Sequence, residues 1–267
     1  MGVTIALLLV TIVFINNRLW SNVAQSDFDS ATQYMQTIGL QIDDVAWTIG
    51  RTETVQYSSS YGSVSISQAN AINYTIRVTT QGNRNLTYFA SYASRILLFN
   101  MPSSSYSLGN GYYQQIYPQT FNNVTLSGAS APVARVFARE MLNSMTDGNF
   151  ARIVVTPVIR VVSSSVNSSN SNVYYLKLYL PVLEPGSAHG SAQSVTMTCT
   201  SIETQTLSQI TSIKITAYLP SLTQGFNSQF FNLSSLNQTI NVPPKGYNNA
   251  ILEVYSGNVE TMLGVQS

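Results

Sequence analysis

The hydrophobic pattern of this chain changes character once, near residue 50. Residues 1–15 read MGVTIALLLVTIVFI, an apolar run without a charge, closed by Asn16, Asn17 and Arg18. Apolar residues then recur at spacings of three and four: Trp20, Val23, Ala24, Phe28, Ala31, Tyr34, Met35, Ile38, Ile42, Val45, Ala46 and Ile49. That period predicts an amphipathic α-helix continuous with the apolar run. One helix of about 49 residues would be roughly 73 Å long at 1.5 Å per residue, too long for a head of ordinary size to bury. Gly50 follows where a C-terminal helix cap is expected.

Beyond Gly50 the alternation has a period of two. Val55 and Tyr57 before a turn at 58–62, and Val64 and Ile66 after it, predict a β-hairpin. Strands are expected at 73–80, 86–91, 95–99, 194–201, 212–219 and 250–255, with Val195, Met197 and Cys199 on one face of their strand. Residues 152–162 and 173–183 read as the arms of a long hairpin around a polar loop, with Pro157 and Pro181 implying edges or irregularities. The one helical spacing in this part is Val133, Val136, Phe137, Met141 and Leu142, between Pro132 and the stop signals Thr146, Asp147 and Gly148. It predicts a short helix over a sheet, with Arg135, Arg139 and Glu140 beside its apolar stripe. The expected class is α+β: a long N-terminal α-helix followed by a predominantly antiparallel, β-sandwich-like head with one short helix. The division falls between an assembly helix at 1–49 and a β-rich head at 50–267.

Composition narrows what such a molecule does. Charged residues are 9% of the 267 and the formal net charge is +1, too weak a field to hold nucleic acid or another polyanion. One cysteine, Cys199, excludes an internal disulfide, and one histidine, His189, restricts metal and acid–base chemistry. His189 and its neighbours Ser187 and Ser191 read as a flexible loop, with no carboxylate motif or oxyanion-hole signal beside them. Cys199 reads as a small buried hydrophobe. The adjacent pair Asp43 and Asp44 point about 100° apart on a helix, which disfavours joint catalysis and favours a solvated or intersubunit face. Gly39, a poor helix former, marks a bend or a close approach. Tyr106, Tyr112, Tyr113 and Tyr117 suit strand packing, with a sugar-stacking platform as the alternative. Glu53, Glu140, Glu184, Glu203, Glu253 and Glu260 are scattered without a motif, and no phosphate loop, dinucleotide fingerprint, zinc spacing or nucleophile elbow is present. A non-enzymatic protein is expected, with no cofactor, no metal and no nucleic-acid partner.

The polar residues are mostly Ser, Thr, Asn, Gln and Tyr, the composition of an exported surface. Acceptor triplets Asn-x-Ser/Thr begin at Asn73, Asn85, Asn123, Asn167, Asn232 and Asn237 and are candidates for N-glycosylation, or simply turn residues. Three readings compete for the N-terminal run: a signal anchor, a signal peptide, and a filament-forming helix whose apolar end packs against its own copies. The third explains the missing basic flank by removal of a leader upstream of residue 1.

An apolar helix that runs on into a longer amphipathic one, then a β-rich head bearing acceptor triplets, resembles a mature archaeal type IV pilin or pilin-like filament subunit. The stretch IDDVAWTIGRTETVQYSSSYGSVSI, residues 42–66, resembles the helix-to-sheet junction of such proteins. Ile5 stands where many bacterial type IV pilins carry glutamate, and the head is large for a pilin, which leaves room for an adhesin-like or minor subunit. The resemblance implies an extracellular cell-surface filament built by self-association, passing through the membrane and the pilus assembly machinery beforehand, with adhesion as its use. It also implies a filament core of Val3, Ile5, Leu7, Leu8, Leu9, Val10, Ile12, Val13, Phe14 and Ile15. The alternative is a membrane-anchored monomeric surface protein whose head binds a glycan or a partner.

Overall fold

The computed structural model describes residues 2–81, 87–121, 123–167, 172–187, 193–219, 225–244, 246–247 and 249–264, without the side chains of 2–6, 8, 9, 17, 67–70, 87 and 167. A helix, α1 (Gly2–Val45), comes first. It is followed by β1 (Thr52–Gln56), β2 (Ser63–Thr80), β3 (Thr87–Pro102), β4 (Tyr113–Tyr117), β5 (Thr125–Ser127), β6 (Ala134–Glu140) and β7 (Phe150–Pro157). Then come β8 (Ile159–Asn167), β9 (Asn172–Pro185), β10 (Ser194–Ser208), β11 (Ile210–Tyr218), the single helical turn α2 (Ser228–Phe231), β12 (Asn237–Asn241) and β13 (Asn249–Leu263).

The strands form two sheets. One has six strands in the order β1-β10-β13-β9-β8-β5, the other seven in the order β12-β11-β2-β3-β7-β6-β4. Pairing is antiparallel except for β13 with β9 and β5 with β8. Between the sheets lies one core, built from Ile76, Ile96, Phe137, Val154, Leu178, Ile215, Leu252 and their neighbours. A second core lies under α1, where Phe28, Met35, Ile38 and Ile42 meet Leu97, Phe99, Val136, Ile153, Met197 and Val259. The period-3.6 stripe read in the sequence is therefore the face of α1 that covers strands. Burying its six large members, Phe28, Tyr34, Met35, Ile38, Ile42 and Val45, contributes on the order of 10 kcal/mol gross.

The α+β expectation is overturned. Strands make up 54% of the structure, which places the chain among mostly-β folds, and the short helix predicted after Pro132 does not exist. That segment is β6, paired with β7 on one side and β4 on the other. Ala134, Val136 and Ala138 face α1 while Phe137 faces the inter-sheet core. A strand buried on both faces loses its polar alternation. Its apolar residues then imitate a helical stripe.

Two further expectations are corrected. Residues 55–66 are not a hairpin: β1 pairs with β10 and β2 with β3 and β11, so 58–62 carries the chain from one sheet to the other. Residues 152–162 are not one arm, because the chain changes sheet at Val158, between β7 and β8. The second half of that reading holds, since β8 and β9 form an antiparallel pair. Pro181 lies beyond the last residue of β9 that β8 pairs with, Tyr179, so its missing N–H breaks no ladder bond on that side.

Candidate functional site

The distinctive site is α1 itself, because its two halves meet different surroundings. From Ala24 to Ala46 one face is buried against the head. Two glycines set how close it comes. A Cβ on Gly39 would lie 2.6 Å from Cγ2 of Val136, and one on Gly257 of β13 would collide with the carbonyl of Ala46. Gly39 is thus a close approach, of helix to strand.

Two carboxylates hold this half in register. Asp27 Oδ2 accepts three hydrogen bonds from the inter-sheet crossing: Ser59 Oγ (2.8 Å), the N–H of Ser60 (2.8 Å) and the N–H of Tyr61 (3.1 Å). Asp43 accepts from Trp47 Nε1 through Oδ1 (2.8 Å) and from Arg160 Nη1 through Oδ2 (2.9 Å). The Arg160 guanidinium lies 4.8 Å from the ring centre of Tyr179, which stacks on Tyr255 at 4.9 Å and 8°. Asp44, by contrast, is exposed and only 3.7 Å from Arg51. The two adjacent carboxylates do different things, as their angular separation requires. Neither the Asp27 clamp nor the Asp43–Arg160 pair was legible in the sequence, since the partners are distant in the chain.

The other half of α1 touches little. Leu7, Val10, Ile12, Val13, Phe14, Ile15 and Leu19 are between 51% and 67% exposed, and Trp20 and Val23 are comparably bare. Trp20 meets the edge of Tyr61 at 6.3 Å, where the helix leaves the head. Val3, Ile5, Leu8 and Leu9 lie within α1, but their side chains fall outside the described residues. Single exposed apolar residues need no explanation, whereas a contiguous patch of this kind marks a surface that something covers. No helix among the described residues is long and apolar enough to cross a membrane.

The head has one open polar cleft, of about 540 Å³, where β3 crosses the six-stranded sheet. It is lined by Ser91, Tyr92, Arg95, Glu184, Glu203 and Asn258, among others. Burial pushes the Tyr92 phenol above its ordinary value. Among the described residues, no three His, Cys, Asp or Glu side chains gather as a metal site.

The remaining singled-out residues are structural. Tyr113 and Gln115 hold the buried Arg135 through its Nη2 (2.7 Å) and Nε (3.1 Å), and burial lowers the pKa of that guanidinium. Glu140, expected beside a helix, is fully buried and accepts from Ser107 Oγ and the N–H groups of Leu108 and Gly109. Tyr106 packs on Phe28 at 5.4 Å. Cys199 is buried with Val195 and Met197, as its alternation predicted, and its thiol donates to Ala46 O at 3.5 Å. His189 and Ser191 lie outside the described residues.

Of the acceptor asparagines, Asn73, Asn123, Asn232 and Asn237 are exposed; Asn85 and the side chain of Asn167 lie outside the described residues. No family model matches the chain, and no curated protein or solved structure matches it either.

Proposed function

We propose that the chain is the structural subunit of an extracellular pilus-like filament, self-assembling through the apolar half of α1, with surface adhesion as its use. The observation that carries this reading is the uncovered apolar run from Leu7 to Leu19, continuous with a half-helix clamped to the head. Water does not tolerate such a run cheaply. At about 25 cal/mol per Å² of apolar area, covering a dozen of these side chains is worth on the order of 10 to 20 kcal/mol gross, less the cost of ordering. Lipid covers them before assembly, and the helices of neighbouring copies cover them afterwards. One heterologous contact repeated along a screw axis then gives an open filament. The clamps matter because they fix each head relative to the helix that builds the core.

The test is electron microscopy of sheared surface material from cells carrying Val10→Asp or Phe14→Asp. Both substitutions are expected to abolish filaments while the head remains folded. Normal filaments from both variants would overturn the reading.

A second reading is a monomeric, membrane-anchored surface protein with a glycan- or partner-binding head, favoured by the polar cleft at Tyr92, Glu184 and Glu203. It requires the protein to fractionate with membranes, and recovery in sheared filaments sinks it.

A further inference from the structure

Four of the acceptor triplets can be placed in the fold, and the fold treats them differently. Asn73 is exposed, but it lies on β2, paired on both sides by β11 and β3. The Tyr74 and Thr75 that complete its triplet are buried, and the Thr75 hydroxyl donates to Thr216 O at 3.5 Å. Asn123 precedes buried Val124 and Thr125, and the Thr125 hydroxyl is hydrogen-bonded to Gln238 Oε1. Asn237 begins the strand β12, held in extended pairing with β11, and its Oδ1 accepts from Thr216 Oγ1 at 2.8 Å. Asn232 differs. It caps α2 in the left-handed region (φ 48°, ψ 47°), outside any strand, and both it and Ser234 are exposed.

Transfer of a glycan needs the acceptor amide and the hydroxyl two residues later to reach the transferase together. A paired strand prevents this, because successive side chains point to opposite faces and the backbone cannot bend away. A bent, exposed segment permits it. We propose that Asn232 is the N-glycan acceptor of the folded head and that Asn73, Asn123 and Asn237 are not modified. This rests on the reading of the chain as an exported surface protein.

The co-reactant is an oligosaccharide linked to a lipid phosphate. The Asn232 Nδ2–C1 bond forms as the bond from C1 to the phosphate oxygen breaks; the lipid phosphate leaves, and the amide proton passes to a carboxylate of the transferase. The turn that carries Asn232 is anchored by Phe226, Phe230 and Phe231, all buried. It adjoins the β12–β11 end of the seven-stranded sheet, whereas α1 packs on β7, β6 and β4 at the other end. A glycan there would project away from a filament core built on α1.

Glycopeptide mass spectrometry of the protein isolated from its own cell surface tests this. A sugar mass increment is expected on the peptide holding Asn232 and absent from those holding Asn73 and Asn123, with Asn237 resolved from Asn232 by fragmentation. Asn232→Gln and Ser234→Ala should each remove the increment, the second without touching the acceptor itself. An increment on Asn73, Asn123 or Asn237, or none on Asn232, overturns the assignment. Unmodified Asn232 in intact filaments defeats this inference alone, and modified Asn232 on a protein that forms no filaments defeats the filament reading alone.

Discussion

Arg160 Nη1 lies 2.9 Å from Asp43 Oδ2, so a strand of the six-stranded sheet holds the last turn of α1 by a charge-assisted bond. The side chains are 12% and 33% exposed, respectively, so solvent screens the pair only in part. Asp43→Ala should cost about 1 to 3 kcal/mol, most of it from leaving a half-desolvated guanidinium unpaired. In thermal or urea unfolding, the double variant with Arg160→Ala should show coupling of about 1 kcal/mol. Strict additivity would show that the contact holds nothing.

Gly39 and Val136 make a second, purely steric prediction. Ala is normally the better helix residue by about 1 kcal/mol, yet Gly39→Ala is expected to destabilise by about 1 to 2 kcal/mol, because the new methyl meets a stiff, fully buried β-branched side chain at 2.6 Å. Gly39→Ala combined with Val136→Ala should recover part of that loss relative to the sum of the single changes. A more stable Gly39→Ala protein would refute the close approach.

How much of this was legible beforehand depends on what each segment faces. The stripe from Phe28 to Ile42 was readable because one face of α1 meets strands and the other meets water. Val195, Met197 and Cys199 were readable for the same reason in a strand. Segment 133–142 misled because both faces of β6 are covered, so Arg135 and Glu140, which looked solvated, are buried with partners supplied by Tyr113, Ser107 and Leu108. The crossing at 58–62 misled because its turn chemistry serves Asp27 rather than a hairpin. The apolar run at the start was plain in the sequence; the point at which the helix leaves the head, near Trp20 and Ala24, was not.

The Lys177–Glu253 pair on the outer face of the six-stranded sheet gives a pH dependence. The hydrogen bond from Lys177 Nζ (2.8 Å), aided by that from the Tyr255 hydroxyl (2.7 Å), lowers the pKa of Glu253, while the bond to Glu253 raises those of Lys177 and Tyr255. A lowered carboxylate stabilises above its unfolded pKa and loses that contribution as pH falls through the folded one. A raised lysine or tyrosine stabilises below its unfolded pKa and loses it as pH rises through the folded one. The contribution is therefore full between about pH 5 and 9 and fades on either side. Because these groups are substantially solvated, its size is about 0.5 kcal/mol. Glu253→Gln should lower stability at pH 7 and have little effect at pH 3, measured by denaturant unfolding. An equal loss at both values would rule out the linkage.

Cys199 should be inert. Burial raises its thiol pKa, and the side chain is 1% exposed beneath the end of α1, so the nucleophilic thiolate is both scarce and shielded. Alkylation by iodoacetamide should be at least about 100-fold slower in the native protein than in denaturant. Fast native labelling would mean that the helix end opens readily.

The placement of β13 has a consequence for the order of events. This strand, late in the chain, lies between β10 and β9 and runs parallel to β9, so the six-stranded sheet is split until residues 249–263 arrive. Long-range strand pairings form slowly because chain closure comes before the reward. The apolar helix is therefore made, and finds its lipid or its neighbours, while the head behind it is still an open chain.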